Sequence, residues 1–142
     1  MKIAIASDHR GYNLKQVLIA YLKQKGHKVY DLGPDTKQAC DYPKFAFLVA
    51  DAVSKKKVEC GILICNSGLG MTMAANKKKG IRAANCFNLS TARFSREHND
   101  ANILVLSAAF INKQLAKRMV SIWLKTRFAG GRHLKRIKMF SI

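Results

Sequence analysis

With 142 residues, 49% of them apolar, the chain fits one domain with a real core, which excludes disorder over most of its length. Lys and Arg outnumber Asp and Glu by 26 to 8, a formal charge of +18 that suits an anionic partner such as nucleic acid, acidic membrane or phosphorylated metabolite but more often means only a solvated basic surface. The longest apolar run, Ile103 to Ile111, is too short for a bilayer, and Ser7-Asp8-His9-Arg10 cuts off the N-terminal apolar stretch before a secretory signal forms. A cytoplasmic protein with no membrane partner is expected.

The elements alternate from the start. Lys2–Ser7 reads as a strand, and Leu14, Val17, Leu18, Tyr21 and Leu22 then follow the spacing of a helix face, with Gly26 closing that helix. His27–Leu32 is a second strand, turned by Gly33-Pro34-Asp35, and Phe45, Leu48, Val49, Ala52 and Val53 mark a second helix. The continuous run Cys60–Cys65 fits a central strand covered on both faces. A helix is predicted from Leu69 to Lys79, a strand at Ile81–Cys86, a short helix at Ser90–Glu97 and a fifth strand at Asn102–Ser107. Leu115, Met119, Ile122 and Trp123 belong to a last long helix, and a basic tail, Arg132–Ile142, with a helical turn follows Gly130-Gly131. Lys55-Lys56-Lys57 and Lys77-Lys78-Lys79 fall where helices end, so their charge complements the helix dipoles.

Repeated strand–helix units predict an α/β fold: a three-layer, Rossmann-like, doubly wound parallel sheet of five strands over residues 1–142, one domain with a C-terminal helical tail. Ligands of such sheets bind beyond the carboxyl ends of the strands, where strand order reverses. The residues after Ser7, Cys65, Cys86 and Ser107 are therefore the ones to inspect.

Cys65-Asn66-Ser67-Gly68-Leu69-Gly70 is the most informative of these segments. Its glycines allow a sharp turn into a helix and leave several N–H groups aimed at one spot, an anion site made of main chain. It is neither a phosphate-binding loop with Gly-Lys-Ser/Thr nor the GxGxxG dinucleotide fingerprint. A thiol at the mouth of such a loop is expected to lean toward the thiolate, and could then serve as nucleophile or as proton-abstracting base. Cys65 could equally end a buried strand with no chemical role. Asp8 could cap the first helix, and His9 and His98 could be ordinary surface residues. Arg132 and Arg136, four apart, would share a helix face and could grip one phosphate. Cys40, Cys60, Cys65 and Cys86 show no CxxC pair and no zinc-finger spacing.

In order along the chain stand Ser7-Asp8-His9 with Gly11, Asp41-Tyr42-Pro43, Gly61–Cys65, Ala74-Ala75-Asn76-Lys77 and Gly80-Ile81-Arg82-Ala83. Arg96-Glu97-His98-Asn99-Asp100-Ala101-Asn102 and Gly130-Gly131-Arg132-His133 follow. With these segments, end to end and in register, the chain resembles the type B ribose-5-phosphate isomerases of the ribose/galactose isomerase family. The resemblance implies isomerisation of ribose 5-phosphate to ribulose 5-phosphate without metal or other cofactor. It implies that Cys65 carries the proton between C2 and C1 through an enediolate, with Ser67 and the N–H groups from Asn66 through Gly68 to Gly70 holding the enediolate oxygens. It further implies that His98 opens the sugar ring, Asp8 contacts sugar hydroxyls, and His9, Arg132 and Arg136 bind the phosphate. Family members are dimers or tetramers of dimers, so a homo-oligomer is expected, with His98 and Asn99 reaching the site from the partner chain.

Two departures stand out. Asn66 replaces the family's usual glycine, and Ala109 replaces an arginine that reaches the neighbouring subunit's phosphate; Arg10 is a candidate substitute. Ser67 for the usual threonine keeps the hydroxyl. These departures leave room for a hexose 6-phosphate (allose or galactose) substrate or for a binder that no longer turns over. A nucleic-acid-binding protein on the same scaffold would account for the charge, but no recognised motif and no aromatic-rich basic strand is present, so no specific nucleic-acid partner is expected.

Overall fold

The computed structural model describes residues 1–141. Strands β1 (Lys2–Ser7), β2 (Lys28–Asp31), β3 (Cys60–Cys65), β4 (Ala83–Asn85) and β5 (Ile103–Ser107) alternate with helices α1 (Tyr12–Gln24), α2 (Tyr42–Ser54), α3 (Leu69–Ala75), α4 (Leu89–Glu97) and α5 (Lys113–Lys125). Helix α6 (Arg132–Lys138) lies in the basic tail. The strands form one sheet in the order β2-β1-β3-β5-β4, every pairing parallel. From β1 the chain steps outward to β2 and returns to the far side of β1 as β3. Strand order therefore reverses between β1 and β3, and a crevice opens beyond their carboxyl ends.

Strand periodicity decides which helices cover which face. Ile3, Ile5, Ile62, Ile64, Leu104 and Leu106 turn toward Leu14, Leu18, Leu22, Met119, Val120 and Trp123 of α1 and α5. Ala4, Ala6, Leu63, Cys65, Ile103 and Val105 turn the other way, toward Phe45, Val49 and Val53 of α2 and Met71 of α3. Each fully buried aliphatic side chain contributes about 1.5–3 kcal/mol, so both layers are held firmly. The α2 face is built close: a side chain at Gly61 would collide with Val49. Trp123, buried under α4, keeps its indole N–H satisfied by donating to Ser95 Oγ at 3.1 Å.

Local chemistry ends the elements. Gly26 (φ +84°) follows the last turn of α1, where the His27 N–H donates to the Leu22 carbonyl and the Gly26 N–H to that of Lys23. Asn88 and Thr91 form a reciprocal capping box at the start of α4. Four elements are shorter than predicted: β2 lacks His27 and Leu32, β5 lacks Asn102, and α3 and β4 lose more. Helix α3 stops at Ala75 rather than Lys79, because the Asn76 side chain pairs with the Ala83 backbone, donating at 2.9 Å and accepting at 2.8 Å. The next N–H groups, of Lys77 and Lys78, then bond three residues back in a tightened turn. Strand β4 begins at Ala83 rather than Ile81, since the Arg82 N–H is taken by the Asn102 side chain at 2.8 Å.

Candidate active site

At the end of β1 the Asp8 N–H donates to the Ile64 carbonyl at 3.1 Å, which carries the β1–β3 contact past the strand proper. Asp8, only 7% exposed, accepts the Gly11 N–H on Oδ1 at 2.9 Å. It shapes the turn into α1 and is not the helix cap, a position held by Gly11. One carboxylate oxygen so engaged leaves the other for a ligand. His9 is half-buried, and its Nδ1 accepts the Cys40 N–H at 3.3 Å. In the neutral ring that bond leaves the proton on Nε2, which makes His9 a donor toward an anion.

The Cys65 loop forms the other wall. Cys65 is 5% exposed, and its Sγ accepts the Gly68 N–H at 3.1 Å. Gly68 (φ +81°) sits in the left-handed region as the first residue outside α3, where a side chain would strike Asn85. Asn66 takes an ordinary negative φ and is exposed, so the backbone does not demand glycine there. Its carbonyl accepts Ser107 Oγ at 2.6 Å and the Ala109 N–H at 3.1 Å, which ties the loop to the end of β5. Ser67 Oγ accepts the Leu69 N–H at 3.3 Å, and the Tyr42 ring lies against Gly70.

The loop does not leave the thiol biased toward the thiolate. Burial pushes the Cys65 thiol above its ordinary value, the Gly68 and Met71 N–H groups pull it back, and the Asp8 charge pushes it up again. Helix α3 has seven residues, and its terminal dipole is outweighed by desolvation. Cys65 therefore rests protonated at neutral pH and, once deprotonated, is a strong base.

His98, Asn99, Arg132 and Arg136 lie elsewhere. Helix α4 packs on α5 and links the parallel strands β4 and β5, so the segment after it returns to the amino edge of the sheet, where the Asn102 carbonyl accepts the Gly61 N–H at 3.0 Å. Cys65 is paired with Ser107 at the opposite edge. Five strand residues at about 3.3 Å each separate the two levels by roughly 16 Å. His98 is stacked between Phe94 (centroids 4.8 Å apart) and His133 (4.5 Å). Gly131, at φ +53° and ψ −128°, turns the chain into α6, and the Ala129 N–H donates to the Glu97 carbonyl at 2.9 Å, holding the tail against α4. Arg132 and Arg136 are exposed on one face of α6 and make no ion pair among the described residues. The His133 imidazole is held below its ordinary value by desolvation and by the charges of His98, Arg132 and Arg136, which favours its neutral form.

The fold thus joins Asp8, His9, Cys65, Asn66, Ser67, Gly68 and Gly70 at one edge and His98, Asn99, Arg132 and Arg136 at the other. It does not bring the two sets together within one chain. Arg10 lines a cavity of about 340 Å³ with Ala108 and Lys113, beside Ala109. Sequence reasoning missed Cys40, Tyr42, Asn85 and His133 as neighbours of the site. Of these, Asn85 has no motif to betray it, whereas Tyr42 lies within the Asp41-Tyr42-Pro43 segment and Cys40 directly precedes it.

A buried thiol within a turn of N–H donors, at the reversal point of a parallel sheet, with an acid and a histidine from the neighbouring strand, defines a small-molecule site of the α/β class. The ribose/galactose isomerase family model matches residues 3–140, and the chain belongs to that family. It is 42% identical to ribose-5-phosphate isomerase B of Escherichia coli over 137 residues, covering 96% of this chain and 92% of that one. The structure of ribose-5-phosphate isomerase B from Clostridium thermocellum is similar at a TM-score of 0.98 with 49% identity, covering 99% and 95% of the two chains. That from Mycoplasma genitalium with bound ribulose-5-phosphate is similar at 0.96 with 46% identity, covering 99% and 93%.

Proposed function

We propose that this chain, acting as one sugar-phosphate isomerase domain over residues 1–142, interconverts ribose 5-phosphate and ribulose 5-phosphate, with Cys65 as the base. The observation that carries the reading is the Cys65 thiol, 3.1 Å from the Gly68 N–H in a ring of main-chain donors, in a chain nearly half identical to type B isomerases. His98 opens the furanose ring. The Cys65 thiolate then removes the proton at C2; the C–H electron pair becomes the C1–C2 double bond of an enediolate as the C1–O1 π pair moves onto O1. The thiol returns its proton at C1 while the O2 hydroxyl proton passes to O1, which leaves C2 as the ketone. Charge that develops on the enediolate oxygens meets Ser67 and the N–H groups between Asn66 and Gly70, donors already oriented before the reaction begins. Asp8 offers its free oxygen to the sugar hydroxyls, and His9 Nε2 donates to the phosphate.

Because His98, Asn99, Arg132 and Arg136 stand at the far edge, a single chain holds two halves of different sites. The reading therefore includes a homodimer, or a tetramer of dimers, in which His98 of the partner subunit faces Cys65. Exposed apolar side chains beside both halves, Leu69 and Met73 at one and Phe94 and Leu134 at the other, fit such burial. The four free cysteines suit a reducing, cytoplasmic setting. Among the described residues no helix is long and apolar enough to cross a membrane.

The test is conversion of ribose 5-phosphate by purified protein without added metal, beside Cys65→Ala and with allose and galactose 6-phosphates as competitors. Turnover of the pentose that collapses in the variant supports both the reaction and the base. Turnover that survives in Cys65→Ala removes Cys65 from that role, and preference for a hexose 6-phosphate overturns the substrate.

A further inference from the structure

Asn85, the last residue of β4, is half-buried and carries the one buried side-chain oxygen, Oδ1, that lacks a partner among the described residues. An orphaned acceptor is costly and calls for a reason. Its Nδ2 donates to the Ser67 carbonyl at 3.3 Å, and its amide rests against the Gly68 Cα, where any side chain at 68 would strike it.

The Ser67 carbonyl and the Gly68 N–H belong to one peptide group. That group is trans and planar, so its C=O and N–H point in opposite directions. Asn85 holds the carbonyl end while the N–H end points at Cys65 Sγ, 3.1 Å away. A donor on the carbonyl polarises the peptide and strengthens the N–H as a donor at its other end. We propose that Asn85 is a positioning residue for Cys65: by gripping the Ser67–Gly68 peptide from β4 it orients and strengthens the N–H that stabilises the thiolate. This rests on the reading of Cys65 as the base, although its physical core, the coupling of Asn85 to the thiol, does not require turnover.

The surroundings isolate the effect. Among titratable groups, Asp8 from the β1–α1 turn is the one whose charge reaches the thiol. From α3 and the loop itself the thiol meets N–H groups of Ser67, Gly68 and Met71. Substitution at 85 removes none of these groups, so a change in the thiol reports on the Ser67–Gly68 peptide that Asn85 holds.

Two variants test the proposal: Asn85→Leu, which removes donor and orphaned acceptor together, and Asn85→Asp, which keeps the shape but removes the donor and adds charge. The readout is the ultraviolet thiolate absorbance of Cys65 against pH, taken as the difference between each protein and its Cys65→Ala counterpart. In Asn85→Leu the titration moves upward by about half a unit or more, roughly threefold fewer thiolates at neutral pH. In Asn85→Asp it moves further. The acid limb of kcat/KM moves with it, and the melting temperature of Asn85→Leu does not fall. An unmoved Cys65 titration in both variants overturns the proposal, as does loss of folding in both, which would make Asn85 structural. A moved titration with an unmoved acid limb supports the coupling and instead counts against Cys65 as the base.

Discussion

The two edges of the sheet carry the two sets of candidate site residues, built in opposite ways. At the carboxyl edge Asp8 and Cys65 are buried and held by backbone groups: Asp8 by the Gly11 N–H, Cys65 by the Gly68 N–H. At the amino edge Asn99, Arg132 and Arg136 are exposed, and His98 is held by stacking on Phe94 and His133. A base must be desolvated and oriented before its substrate arrives, and main-chain donors do that within one chain. Arg132 and Arg136 stay hydrated in the single chain. On the proposed reading, the contrast teaches that the fold completes the proton-transfer half within one chain and leaves ring opening and the arginine contacts to phosphate to assembly.

The sharpest way to break that comparison is subunit complementation. Cys65→Ala and His98→Ala should each lose at least about a hundredfold in turnover. Mixed by unfolding and refolding together, they should recover about a quarter of wild-type activity, because half of the random dimers carry one intact site. No recovery would mean that both residues serve a site within one chain. Next in size, Arg132→Ala and Arg136→Ala should each raise KM about tenfold or more while kcat holds, the loss of one charge-assisted bond to phosphate. A fall in kcat at constant KM would move these arginines from binding into the chemical step.

The pH dependence probes the buried half alone. With the Cys65 thiol pushed above its ordinary value by burial, kcat/KM should climb as pH rises through neutrality, following the thiolate; a profile that falls over that range would point to another base. Stability should run the other way at high pH. Burial pushes the Cys60 thiol up to about 12, above its unfolded value near 9. The unfolded chain therefore loses that proton first, and the denaturant midpoint should decline from about pH 9 upward. Cys60→Ala should flatten that decline. The smallest effects belong to the two departures from family pattern. Arg10→Ala should raise KM a fewfold if Arg10 stands in for the arginine missing at Ala109, and an unchanged KM would remove it from the site. Asn66→Gly should change turnover by less than about threefold, since the Asn66 backbone is unstrained and its side chain is exposed.

Much of this protein is written in residue order. The unbroken apolar runs Ile3–Ala6 and Cys60–Cys65 specify strands covered on both faces, and the three- and four-residue spacing from Leu14 to Leu22 specifies a helix, because burial follows local geometry. Repeated strand–helix units then dictate a parallel sheet, and the chemistry-bearing residues at strand ends mark the functional edge. Local patterns could not foresee that Asn76 would end α3 early, since its partner at Ala83 is reached across a turn. Nor could they foresee that Cys65 is raised rather than lowered, because desolvation depends on everything packed around the thiol. The Asn85 grip on the Ser67 peptide comes from tertiary structure alone, and the separation of His98 from Cys65, which the family resemblance implied, has its physical cause there too. Both depend on which strand ends and helix ends the sheet order brings to the same edge, a relation between distant segments that no single stretch of sequence encodes.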